Sequence, residues 1–125
     1  MPSFSKLPLP APLLEALGSL GFTQMLPVQE QSLPAILSGR DVLAQAETGS
    51  GKTVAFGLGM LARLEPRLDV QALALCPTRE LAEQVGAELR KLASRTPNVK
   101  VLTLCGGVPF APQRASIASG SGPGT

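Results

Sequence analysis

The hydrophobic pattern of the chain predicts helices that alternate with short apolar runs. Four leucines recur at helical spacing over residues 13–20, and Gly21 follows where a helix is expected to end. Pro27 suits the first turn of a second helix, and a separate short helix is expected to begin at Pro34. The same pattern predicts two longer helices, over residues 51–64 and 80–95.

Three short apolar runs between these helices are predicted to be strands. They lie at 42–45, 72–76 and 99–105. The middle run is an uninterrupted Ala-Leu-Ala-Leu-Cys, which is typical of a strand buried on both faces. Strands that alternate with helices predict an α/β domain with a parallel sheet and helices on both of its faces. Residues 115–125 carry no charge and little to bury, so they are expected to be a flexible tail or the end left by a truncation.

Composition narrows the functional classes. The 125 residues fit one domain at most, and the net charge of +2 is too small to indicate nucleic-acid binding by itself. The chain has no histidine, which excludes histidine catalysis and histidine metal sites. Cys76 and Cys105 each end an apolar run and are expected to be buried thiols. No uncharged apolar run reaches the roughly 18 residues of a membrane span, so a cytoplasmic protein without membrane partners is expected.

The strongest chemical signal lies between the first predicted strand and the helix that follows it. Its residues are Ala46, Glu47, Thr48, Gly49, Ser50, Gly51, Lys52 and Thr53. Gly49 and Gly51 allow a tight turn whose N–H groups point into one concavity, which with the helix N-terminus forms an anion site. Lys52 supplies a cation for phosphates, and the Thr53 hydroxyl can bind Mg²⁺. The general pattern has Gly where Ala46 stands, and a glycine-rich turn without a ligand is the alternative interpretation.

With Ala in its first position, this phosphate loop resembles that of the DEAD-box RNA helicases. The resemblance extends from Phe4 to about Arg114 and implies that residues 1–114 are the N-terminal part of an incomplete RecA-like P-loop NTPase domain. It implies an ATP-dependent enzyme that uses Mg²⁺ and locally unwinds RNA duplexes. Some stretches of the sequence are similar to a bacterial member of the family that acts on ribosomal RNA. The resemblance therefore implies that the parent protein binds ribosomal RNA or a pre-ribosome.

The stretch 21–29, Gly-Phe-Thr-Gln-Met-Leu-Pro-Val-Gln, resembles the family's adenine-binding Q motif. The resemblance implies that Gln29 pairs with the base and that Phe4 stacks on it. A glutamine amide has a donor and an acceptor side, which fit the N6 and N7 edge of adenine. Without the resemblance, Gln29 would be interpreted as a solvated helix residue. Leu26 stands where the family commonly has Thr or Ser, and the loss of a capping hydroxyl costs about 1 kcal/mol.

Two further stretches are similar to RNA-binding motifs of the family. Pro77, Thr78 and Arg79 belong to one that resembles motif Ia, and Gly106 and Gly107 resemble the GG motif. The resemblance implies contacts to the sugar–phosphate backbone of RNA that do not depend on sequence. A helix start is a natural phosphate contact. The ordinary alternative is that Thr78 caps a helix and that the glycines form a turn.

Acidic residues for hydrolysis are missing from the expected places. Phosphoryl transfer needs a carboxylate near Mg²⁺ and a group that positions the attacking water. Asp41 and Asp69 precede the first and second predicted strands, which puts both at the wrong end, and the family's Asp-Glu-Ala-Asp run is absent. The chain alone is therefore predicted to be inactive. A nucleotide-binding fragment without hydrolysis and a non-functional truncated product remain as alternatives.

Overall fold

The computed structural model describes residues 2–67 and 69–106, and its regular elements there are helical. A 3-10 helix spans Phe4–Lys6, and four α-helices follow it. They are α1 (Ala11–Ser19), α2 (Pro27–Leu37), α3 (Lys52–Ala62) and α4 (Arg79–Leu92). Gly107 and the predicted tail over 115–125 lie outside the described residues.

Helices α1 and α4 form where the apolar spacing predicts them. In α1, Leu13 and Leu17 are each 1% exposed, and the helix ends two residues before Gly21. Gly21 has a φ of +83°, a left-handed conformation that glycine adopts without strain. At the start of α4, the Thr78 hydroxyl accepts a hydrogen bond from the backbone N–H of Leu81 at 3.1 Å. This bond makes Thr78 the helix cap.

Helix α2 corrects the prediction of a break at Pro34. The helix runs continuously from Pro27 to Leu37, with Pro34 inside it. A proline in a helix interior removes one backbone hydrogen bond, so packing must compensate. Leu33 is fully buried beside the proline, and the Ser32 hydroxyl donates to the Val28 carbonyl at 2.6 Å. Burial of this face holds the helix together across the missing bond.

Helix α3 lies between α2 and α4 because two glycines allow close approach on different sides. A methyl group placed on Gly57 would lie 3.0 Å from Leu89 and 3.1 Å from Leu92 of α4. One placed on Gly59 would collide with the Ile36 side chain of α2. The absence of side chains at these two positions therefore sets the distance between the three helices.

The hydrophobic core draws on every helix. Each fully buried leucine contributes about 1.5–3 kcal/mol through removal of apolar surface from water. The core cluster contains Phe4, Leu9, Leu13, Leu17, Met25, Leu33, Val54, Ala55, Leu58, Leu61, Leu92 and Ala93. Within residues 2–67 and 69–106, no helix is long and apolar enough to span a bilayer.

The three segments predicted as strands form no hydrogen-bonded ladder within the described residues. None of these segments, 42–45, 72–76 and 99–105, is a strand in the structure. Elsewhere in the described part of the chain, an isolated β-bridge joins Ser3 and Gln24. A strand needs a paired neighbour, and these segments are largely uncovered. Leu43 is 100% exposed, Leu75 is 87% exposed, and the thiols predicted to be buried, Cys76 and Cys105, are partly exposed. Their apolar composition therefore predicts a sheet that is not assembled among the described residues.

Candidate nucleotide-binding site

The phosphate loop is a tight turn that opens directly into α3. Gly49 and Gly51 have φ values of +84° and +90°, which only glycine adopts readily. Gly51 is the N-cap of α3, and Lys52 is its first residue. The unpaired N–H groups of this first turn and the helix dipole favour an anion. The prediction that this loop opens a helix is confirmed by this geometry, whereas the strand predicted before it, at 42–45, is not formed among the described residues.

Lys52 reaches back over the loop. Its Nζ donates a hydrogen bond to the carbonyl oxygen of Ala46 at 2.5 Å, six residues earlier in the chain. The ammonium therefore lies against the loop rather than in open solvent. A bound phosphate could take over one of the three donors of this ammonium, because lysine carries three N–H groups. Thr53 follows it, half-buried in the first turn of α3.

The Ser50 hydroxyl is a buried polar atom without a hydrogen-bond partner among the described residues. Buried polar groups almost always form hydrogen bonds, so the unpaired Ser50 hydroxyl indicates a hydrogen-bond partner that binds at this loop. Ser50 also lines a cavity of about 310 Å³ between the phosphate loop and the start of α2. The lining consists of Leu26, Pro27, Val28, Gln31, Gln45, Ala46, Gly49 and Ser50.

Gln29 joins the Q-motif stretch to the phosphate loop. The side chain is 4% exposed. Its Oε1 accepts from the backbone N–H of Leu26 at 2.9 Å, and its Nε2 donates to the carbonyl oxygen of Gly51 at 3.1 Å. A glutamine amide has a second N–H and a second lone pair, so one donor and one acceptor remain. A methyl group on Gly51 would lie 2.5 Å from Nε2, so the contact requires glycine.

The aromatic residue expected to stack on adenine, Phe4, is 2% exposed and belongs to the hydrophobic core. Its contact with the base stays a prediction. Phe22, in the Q-motif stretch, is 42% exposed.

The predicted RNA-contacting residues lie on the surface. Pro77, Thr78 and Arg79 are exposed at the start of α4, and Gly106 is exposed after the segment 99–105. The Arg79 guanidinium is 3.9 Å from the Glu83 carboxylate, and both side chains are more than half exposed. Such a surface pair contributes little and leaves the guanidinium accessible to another anion. The segment before Gly106 is attached to α4, because Arg90 donates to the carbonyl oxygen of Val101 at 3.1 Å.

Metal ligands are sparse. In the described part of the chain, no group of three or more Cys, Asp or Glu residues could hold an ion. Mg²⁺ usually keeps several waters and binds through phosphates and one or two protein oxygens. The Thr53 hydroxyl fits one such position beside Lys52.

A glycine-rich turn that opens a helix, with a glutamine amide bound to its backbone, has the geometry of a P-loop. The DEAD/DEAH box helicase family model matches residues 26–123. The chain belongs to this family. Its fold class is α/β, that of the RecA-like domains of DEAD-box helicases, and it corresponds to part of such a domain.

Individual relatives agree with this family. The chain is 58% identical over 119 residues to the ATP-dependent RNA helicase DbpA of Escherichia coli K12, which covers 94% of the chain and 26% of DbpA. It therefore spans about a quarter of that relative. A DEAD box protein from Methanococcus jannaschii superposes with a TM-score of 0.87 at 33% identity, covering 92% of this chain and 32% of that one. Saccharomyces cerevisiae Dbp5 bound to RNA and ADP BeF3 superposes with a TM-score of 0.74 at 36% identity, covering 77% of this chain and 25% of that one.

Proposed function

We propose that this chain is the ATP-binding N-terminal part of an ATP-dependent DEAD-box RNA helicase. The observation that carries the proposal is the bond from Gln29 to Gly51. It ties the residue expected to read the base to the loop expected to hold the phosphates. The solved Dbp5 complex holds RNA and ADP BeF3 together, which supports both ligands for a relative of 36% identity.

The nucleotide roles follow from the geometry of the loop. The N–H groups of residues 46–53 and the Lys52 ammonium bind phosphates, and the Ser50 hydroxyl supplies a further donor. The Thr53 hydroxyl holds Mg²⁺, which would neutralise phosphate charge. The free N–H and lone pair of Gln29 pair with the adenine edge and favour ATP over GTP. Phe4 is the aromatic residue that stacks on the base, and its ring lies in the hydrophobic core beside the Q-motif stretch.

RNA is bound through its backbone in this proposal. Pro77, Thr78 and Arg79 contact one phosphate at the start of α4, and Gly106 with Gly107 contacts a second. These contacts carry no sequence information, as a helicase requires. The identity to DbpA supports a parent protein that is an ATP-dependent RNA helicase. A cytoplasmic location and ribosomal RNA as its substrate belong to the same proposal. In the parent protein, ATP binding and hydrolysis would drive local unwinding of RNA duplexes.

Nucleotide titration by calorimetry tests the proposal. The chain should bind ATP in the presence of Mg²⁺, more tightly than GTP. Lys52→Ala should weaken ATP binding by about tenfold or more, because a hydrogen bond to a charged group contributes roughly 1.5–3 kcal/mol. Lys91→Ala is the matched control, since Lys91 is exposed on α4. Equal affinity of the two variants would refute the assigned loop, and absence of binding by the wild-type chain would favour a non-functional product.

Hydrolysis is a separate question with a separate assay. We expect the chain to bind ATP without turning it over, because the family's Asp-Glu-Ala-Asp run is absent from the sequence and the described residues contain no group of three or more Cys, Asp or Glu that could hold an ion. Phosphate release in the presence of RNA should equal that of Lys52→Ala. Release clearly above that control would show that the missing carboxylate is not needed.

A further inference from the structure

The segment 99–105 lies along α4, and two successive turns of the helix touch it. The Arg90 guanidinium donates to the Val101 carbonyl oxygen at 3.1 Å and to the Thr103 hydroxyl oxygen at 3.3 Å. A methyl group placed on Gly86, one turn earlier in α4, would collide with the same hydroxyl. The later of the two residues bonded to Arg90 is therefore the one that also reaches the earlier turn, so the segment runs towards the start of α4.

The exposure of successive residues alternates along this segment, as in an extended chain with one face covered. Val101, Thr103 and Cys105 are partly buried, whereas Leu102 and Leu104 are 36% and 51% exposed. A period of two is that of an extended backbone, whose successive side chains point to opposite sides. Because Val101 and Thr103 are bonded to α4, the helix is what covers the buried face.

This pairing brings two of the predicted RNA contacts to the same level along α4. Arg79 lies seven residues before Gly86, about 10 Å along the helix, and within about 20° of it around the axis. Gly106 lies three residues after Thr103, also about 10 Å away in an extended chain. Because Thr103 meets α4 at Gly86, equal distances from that contact place Arg79 and Gly106 side by side.

We propose that Arg90 is a positioning residue for RNA, which holds Gly106 level with Arg79 so that one strand contacts both at once. The inference rests on the proposed RNA contacts and adds what sets the spacing between them. Arg90 is partly buried and its guanidinium is bonded to the segment, so it acts through Gly106 rather than on a phosphate. Holding two contacts in place before binding lowers the ordering cost of association.

Binding of fluorescein-labelled oligouridine, followed by anisotropy, tests the proposal. Arg90→Met keeps the apolar stem and removes the guanidinium, so it should weaken binding about fivefold, equivalent to about 1 kcal/mol for one lost hydrogen bond. Arg90→Lys keeps the charge and can still donate to the segment, so it should lose less affinity than Arg90→Met. Lys91→Met is the matched control, because it removes the same charge from the neighbouring exposed position. It should bind within about twofold of wild type, since salt screens a distant exposed charge.

The salt dependence of binding separates positioning from direct contact. For a single strand, the logarithm of the affinity falls against the logarithm of the salt concentration with a slope of about 0.7 per phosphate neutralised. Arg79→Ala should lower this slope by about 0.7, whereas Arg90→Met should leave it unchanged and lower the affinity at every salt concentration. A lower slope in Arg90→Met would mean that Arg90 contacts a phosphate itself and would overturn the proposal. Equal losses in Arg90→Met and Lys91→Met would overturn it too.

A double variant tests whether Arg90 acts through Gly106. A methyl group added at Gly106 has nothing within 4 Å, so Gly106→Ala should leave the fold intact while obstructing the close approach of a phosphate. In the Gly106→Ala background, Arg90→Met should cost little further RNA affinity, because the contact that it positions is already lost. Losses that add in the double variant would contradict the proposal.

Thiol reactivity gives a readout that needs no RNA. Cys105 directly precedes Gly106 and is partly buried, and Cys76 is a second free thiol outside the segment. Arg90→Met should raise the rate of iodoacetamide alkylation at Cys105 relative to Cys76, because the segment is released from α4. If the wild-type chain does not bind oligouridine, the proposed RNA contacts are wrong, and a raised ratio would still show that Arg90 holds the segment. An unchanged ratio would contradict the positioning role whatever the RNA results.

Discussion

Replacement of Gly51 by alanine tests the link between the two halves of the nucleotide site. Gly51 has a φ of +90°, and an added methyl group would lie 2.5 Å from Gln29 Nε2 and 2.9 Å from Leu26 Cδ1. Gly49, two residues earlier, has a φ of +84° and nothing within 4 Å of the same added atom. The two glycines therefore share backbone strain and differ in what surrounds them, which makes Gly49→Ala the matched control.

The expected magnitudes differ accordingly. A left-handed alanine costs about 1–2 kcal/mol, and this term applies to both variants. Gly51→Ala must also displace Gln29, which breaks its bond to the Gly51 carbonyl and disturbs the start of α2. Loss of one such hydrogen bond costs about 0.5–1.5 kcal/mol, and overpacking in a tight site costs about 1–3 kcal/mol. We expect Gly51→Ala to lower the free energy of unfolding by about 1–3 kcal/mol more than Gly49→Ala.

Urea unfolding followed by circular dichroism measures this difference. A third variant, Gln29→Ala with Gly51→Ala, removes the amide that the new methyl group meets. In the Gln29→Ala background, Gly51→Ala should lower the free energy of unfolding by less than it does in the wild type, and by about as much as Gly49→Ala does. The reason is that mutations that share a contact are not additive. Equal destabilisation by the two glycine variants would refute the coupling of Gln29 to the loop. An additive double variant would do the same.

Three further outcomes are expected. Gly59→Ala should destabilise the chain by about 1–3 kcal/mol in urea unfolding, with relief by Ile36→Ala, because the added methyl group meets Ile36. Phe4→Leu, which keeps an apolar side chain in the core, should weaken ATP binding at least about fivefold while sparing tripolyphosphate, since stacking of a base on an aromatic ring contributes roughly 1–3 kcal/mol. The exposed Leu73 and Leu75 should cause concentration-dependent association, visible by analytical ultracentrifugation and reduced by Leu75→Glu without loss of stability. A monomer at every concentration would contradict this last expectation.

The parts of the fold that depend on local chemistry could be predicted from the sequence. The apolar periodicity of α1 and α4 appears as buried faces, and the phosphate loop has positive φ at both glycines where a tight turn was expected. Thr78 caps α4 through a bond that spans three residues. In each case the deciding contacts lie within one or two turns, so the sequence contains both partners.

The parts that depend on distant contacts could not be predicted in the same way. Pro34 stays inside α2 because Leu33 is buried against residues remote in sequence. Phe4 has the position of an adenine contact in the family pattern, yet its burial depends on core residues from other segments. The runs 72–76 and 99–105 have strand composition, but a ladder needs a neighbour and none is formed within the described residues. The second bond of Gln29 depends on Gly51, 22 residues away.

Helix α3 packs closely against the helices on either side of it, because Gly57 and Gly59 have no side chains at the two contacts. Lys52 stands at one end of α3, and midway along the helix Gly57 leaves no room for a side chain between α3 and α4. The first residue of α4 is Arg79, a candidate contact for RNA. Because α3 and α4 pack this closely, we expect a ligand that displaces Lys52 along the α3 axis to shift Arg79 as well.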